Sequence, residues 1–132
     1  AVMALTLVVW LYMYAVRLRY IAVNNIDAND LASPEKLNAL IPEHINNPSN
    51  NLKNLFELPV LFYALCLCLY VTNSVDALAL YSGWAFFALR AVHSAIQCTM
   101  NLVTLRFSCY FMSSLVLWFM LFLLMMHVTL QK

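Results

Sequence analysis

Apolar residues along this chain are gathered into long blocks, not spread at the i, i+3, i+4 spacing of soluble amphipathic helices. Four blocks stand out: Val2 to about Tyr20, Leu55 to Val71, Ala77 to about Met100, and about Val103 to Leu130. At ~1.5 Å per residue, each can cross a hydrocarbon layer ~30 Å thick. The pattern predicts an all-α integral membrane protein, a bundle of four transmembrane helices. The first block lacks the basic start and small-residue cleavage site of a signal peptide, so it is expected to be a retained span.

The connections differ in kind. Residues 22–51 contain Pro34, Pro42, Pro48 and many asparagines. This is the composition of a polar loop, with room for one short helix around Pro34 to Leu40. The turn from Thr72 to Asp76 is short, and Asp76 is placed to cap the helix that follows. The third connection, near Thr99 to Thr104, is also short. A single four-helix domain over residues 1–132 is expected, without a linker or internal repeat. Gly83 is the only glycine, so GxxxG packing is absent and helices must meet through Ala, Ser and larger side chains. Arg17, Arg19, Lys36 and Lys53 flank the first connection and Arg106 follows the third, whereas the second carries only Asp76. By the positive-inside rule the long loop is cytoplasmic and both termini lie on the other side, Lys132 being a minor exception.

Composition agrees with the pattern: 64% of the residues are hydrophobic, 10% are charged, and mean hydropathy is +0.79. Lipid is therefore the principal partner. A net charge of +1, with no basic run, excludes a nucleic-acid footprint. Cys66, Cys68, Cys98 and Cys109 read as small apolar filler, since Cys66 and Cys68 point to different helix faces; neither disulfide nor metal site is expected. His44 belongs to the loop and His127 to the headgroup level, without a ligand partner for either.

The rare ionisable residues carry more information. Glu57, Arg106 and Arg17 each lie about one turn inside the cytoplasmic end of a block, and Arg90, His93 and Gln97, spaced i, i+3, i+7, form one polar stripe at the same level. Charge inside a span is costly and usually faces the bundle interior with a partner. A Glu57–Arg90 pair alone would be structural glue. Several cations (Arg17, Arg90, Arg106, with Lys53) around one carboxylate leave positive charge over, which an anionic ligand would balance.

These residues also carry a resemblance. "NLKNLFELP", with Asn54 and Glu57 as N-x-x-E before Pro59, resembles the second-helix signature of the MAPEG family, the membrane-associated proteins in eicosanoid and glutathione metabolism. "VRLRY", "ALRAVHSAI" and "RFSCY" resemble the corresponding segments of the first, third and fourth helices, in register over nearly the whole chain. The resemblance implies a homotrimer of four-helix subunits that binds glutathione as co-substrate and acts as a transferase or peroxidase on a lipophilic small molecule arriving from the bilayer. Carried over by residue, Arg106 would stabilise the thiolate and Arg17 would meet a glutathione carboxylate. Asn54 and Glu57 would hold its polar and amino groups, Arg90 and His93 would support that shell, and Tyr110 would be an aromatic or hydroxyl contact. Asn50, Leu52, Gln97 and Phe107 depart from the residues common in the family and thin this shell. The close spacing of Glu57 and Pro59 is similar to the bacterial branch, implying a bacterial inner membrane. The alternative is a non-catalytic accessory subunit of a larger membrane assembly; a transporter is disfavoured by the absence of inverted repeats.

Overall fold

A computed structural model describes residues 1–130; Lys132 lies outside them. The chain is helical throughout: α1 (Val2–Val23), a single 3-10 turn (Ala28–Leu31), α2 (Pro34–Leu40), α3 (Glu43–Leu55), α4 (Leu58–Val71), α5 (Ala77–Cys98) and α6 (Val103–Leu130).

Side chains from the turns start several of these helices. Asp27 accepts from the Asn29 amide at 2.9 Å, the Ser33 hydroxyl from Lys36 at 3.3 Å, and Asp76 from Ala79 at 2.7 Å. Each satisfies an N–H that a helix start leaves without an intrahelical acceptor. Helix ends use asparagine where glycine would be usual. Asn25 and Asn73 take left-handed φ values of 49° and 52°, and the next residues close the end: Ile26 donates to the Ile21 carbonyl at 3.2 Å and Ser74 to that of Leu69 at 2.9 Å. Asparagine tolerates this conformation better than other side chains bearing a Cβ.

The apolar core lies between α4, α5 and α6, with Val2 of α1 at its edge. Phe86 is fully buried and stacks on Phe62, ring centroids 4.4 Å apart. Leu65, Leu69, Leu117 and Met120 fill the space around them.

Two expectations are corrected. Residues 22–51 are not mainly loop: beyond the short α2, the Asn-rich segment forms α3, of 13 residues. Nor is the chain a clean four-transmembrane-helix bundle. Three segments are long and apolar enough to cross a membrane: Val2–Val23, Val103–Leu130, and Glu43–Val71, which joins α3 and α4 across a break at Phe56 and Glu57. These make it an integral, multi-pass membrane protein. α5 has the length, at 22 residues, but Arg90, His93, Ser94 and Gln97 reduce its apolar character, and all four are buried inside the protein. Such groups are costly in hydrocarbon, so α5 turns them toward α3 and α6. Nothing in the single chain supports the homotrimer.

Pro59 accounts for the break between α3 and α4. It has no N–H to give the Leu55 carbonyl, and it sits in the first turn of α4, where a missing N–H is tolerated. Glu57 is thereby placed at the corner between two helices and is solvent-exposed.

Candidate functional site

A polar cleft of about 430 Å³ opens where α3, the α3–α4 corner, α5 and the start of α6 meet. It is lined by Asn50, Lys53 and Asn54 from α3, Glu57 from the corner, His93 and Gln97 from α5, and Val103, Arg106, Phe107 and Tyr110 from α6. Of the residues singled out in the sequence, Arg106, Asn54, Glu57, His93 and Tyr110 are brought together here.

The α5 stripe organises the back wall. His93 Nδ1 lies 2.8 Å from the Arg106 carbonyl and its Nε2 lies 2.9 Å from the Gln97 side-chain oxygen. The Arg106 carbonyl can only accept, so Nδ1 carries a proton and donates to it. Nε2 then meets the Gln97 amide in one of two ways: a neutral ring accepts from its NH₂, and a charged ring donates to its oxygen. Asn54 Nδ2 donates to the same Gln97 oxygen at 3.0 Å, which ties α3 into the chain.

Arg90 is fully buried and stands behind the cleft. One guanidinium nitrogen donates to the Asn54 carbonyl at 2.9 Å, and the group lies over the Tyr110 ring, 5.2 Å from its centroid. The other two nitrogens have no hydrogen-bond partner. The cation thus braces Tyr110 and the end of α3 without entering the cleft. No ion pair joins Glu57 to Arg90 among the described residues, so the structural-glue arrangement is not formed.

Arg106 is held from the side. Its Nη1 donates to Asn101 Oδ1 at 2.7 Å, and Asn101 Nδ2 donates to Asn47 Oδ1 at 3.1 Å. Asn101 has a left-handed φ of 48°, which lets one short side chain link the turn, α3 and Arg106. Behind it Asn51, fully buried, accepts from Ser94 at 3.2 Å and donates to Cys98 Sγ at 3.5 Å.

Arg17 does not line this cleft. Its Nη2 donates to Asn46 Oδ1 at 3.1 Å, and it opens on a neighbouring cleft under the 31–37 segment. Asn47, Asn51 and Asn101 are the supporting residues that sequence reading passed over. Their signal was a four-residue recurrence, Asn47, Asn51, Leu55, of positions that are all buried in α3. At the far end of the molecule His127 has a partner after all: its Nε2 lies 3.8 Å from Asp76. Among the described residues, no group of His, Cys, Asp and Glu is arranged to hold a metal ion.

A family model described as "MAPEG family" matches residues 1–126. No curated protein and no solved structure matches the chain.

Proposed function

The chain belongs to the MAPEG family, and from that membership we propose that it is a membrane enzyme of transferase or peroxidase type that activates glutathione for attack on a lipophilic electrophile or hydroperoxide. The observation that carries this reading is the Arg106 guanidinium, fixed by Asn101 at the wall of a polar cleft. A thiol of pKa ~8.5 is mostly protonated at neutral pH, and an adjacent guanidinium favours the nucleophilic anion.

The remaining roles follow from charge and position. Glu57 is the carboxylate of the cleft lining and suits the ammonium group of the peptide, while Asn54 offers it polar contacts. Lys53, on the same wall, suits a carboxylate. Tyr110 presents a ring and a hydroxyl, and Arg90 and His93 act from behind by fixing Tyr110, Asn54 and the Arg106 backbone. Val103 and Phe107 form an exposed apolar lip beside these polar groups. A lipophilic partner would reach the thiolate across that lip from the bilayer. The basic residues at this end place the cleft on the cytoplasmic side, where low-molecular-weight thiols are kept reduced. The accessory-subunit alternative relied on a Glu57–Arg90 contact and loses that motive.

The test is the ultraviolet thiolate absorbance of glutathione added to the purified protein in neutral detergent at neutral pH. A stoichiometric signal is expected for the wild type and none for Arg106→Ala. An equal signal from the variant overturns the role of Arg106, and no signal from the wild type overturns the glutathione reading.

A further inference from the structure

Arg17 opens on a second cleft of about 310 Å³, beneath the 31–37 segment and beside the Arg106 cleft. Its polar lining consists of Arg17 and Lys53, the hydroxyls of Ser33 and Ser49, and the amides of Asn46 and Asn50. Two cations face this space with no carboxylate among the lining residues. One Arg17 nitrogen is committed to Asn46, while Arg17 Nε is buried with no hydrogen-bond partner. A buried guanidinium N–H left unpaired is costly, and an anionic oxygen accepting from it would remove that cost. Hydroxyls and amides around the cations suit a group with several oxygens better than a flat, two-oxygen carboxylate.

The geometry points to a second anion subsite, in which Arg17, Lys53 and the Ser33 and Ser49 hydroxyls hold a phosphate group. Leu31 and Leu37 supply an apolar side to the same cleft. Arg17 lies near the polar end of α1, where lipid phosphates lie, so a phospholipid headgroup and a soluble phosphate are both chemically suitable sources. Asn50 and Lys53 line both clefts, so an occupant here would adjust the electrostatics of the Arg106 cleft without entering it. The subsite does not depend on glutathione being the thiol.

The experiment follows the thermal unfolding midpoint of the full chain in neutral detergent. Short-chain phosphatidylglycerol, short-chain phosphatidylcholine, inorganic phosphate and glutathione are each titrated separately. The variants are Arg17→Gln and Ser49→Leu; the second fills the cleft while leaving Arg17 and its Asn46 contact in place, and so keeps the test sound if the first folds poorly. Phosphatidylglycerol is expected to stabilise the wild type, with apparent affinity falling about tenfold or more in each folded variant, the worth of a charge-assisted hydrogen bond. Stabilisation by inorganic phosphate with the same dependence on variants supports the subsite with a soluble source. The proposal is overturned if no phosphate probe stabilises the wild type, or if Ser49→Leu responds as the wild type does. It is also overturned if glutathione alone gives a shift that depends on Arg17, since the cleft would then be an arm of the thiol site.

Discussion

Gln97 is 2% exposed and joins two elements through one amide. Its side-chain oxygen meets His93 on its own helix and accepts from Asn54 on α3. Replacing it with an apolar residue of similar size leaves the His93 Nε2 and the Asn54 amide facing a group that cannot answer them. An unsatisfied buried polar atom costs about 1–3 kcal/mol, so Gln97→Leu should lower unfolding stability in detergent by about that much. Gln97→Glu retains an acceptor for both neighbours and should recover most of the loss. Equal stability of Gln97→Leu and wild type in a denaturation series would show that the chain of bonds contributes nothing. Arg90 and Tyr110 illustrate a different use of a polar residue: the guanidinium exchanges hydration for one carbonyl and an aromatic face. This arrangement holds neighbours in place more than it contributes net stability.

At the scale of elements, helix ends in this chain depend on asparagine. Asn73 ends α4 with φ near 52°. A side chain without a local hydrogen bond to offset the strain costs about 1–2 kcal/mol in the left-handed region, so Asn73→Ala should destabilise by about that amount in thermal unfolding. Asn73→Gly should be neutral or slightly stabilising, because glycine adopts that conformation without strain. The same paired result at Asn25 would extend the rule to α1. Reading the sequence succeeded and failed here for physical reasons. The apolar runs of α1 and α6 were legible because hydropathy alone decides them, and Asp76 was legible because its position before an apolar run is what a cap requires. α3 was not, because asparagine and proline are poor helix formers and their composition imitates a loop. Tertiary bonds override that preference: Asn46 takes Arg17, Asn47 takes Asn101, and Asn51 takes Ser94 and Cys98. The members of the Arg106 cleft were legible as costly ionisable groups at one depth, but the separation of Arg17 from them was not. It depends on how residues 31–37 fold over α1, which no motif encodes.

At the scale of the molecule, polar and apolar packing occupy opposite ends of the helices. Hydrogen-bonded amides and cations join α3, α5 and the start of α6, whereas the Phe62–Phe86 stack with Leu117 and Met120 joins α4, α5 and the middle of α6. Only 17% of the apolar windows in α1 and α6 is buried inside the chain, so lipid and not protein covers most of their surface, and the internal core is small. A small core makes each of its members count. Truncating a fully buried phenylalanine costs about 3–5 kcal/mol, and Phe86→Ala should approach that loss because its ring has no solvent exposure and a stacked partner. Because Phe86 is remote from Arg106 in the packing scheme, the folded fraction of Phe86→Ala should retain wild-type thiolate absorbance with glutathione, while Gln97→Leu should weaken both stability and the signal. Parallel losses of stability and thiolate signal in Phe86→Ala would instead mean that the two ends form one cooperative unit, with the geometry of the cleft set by the apolar core as well as by the asparagines of α3.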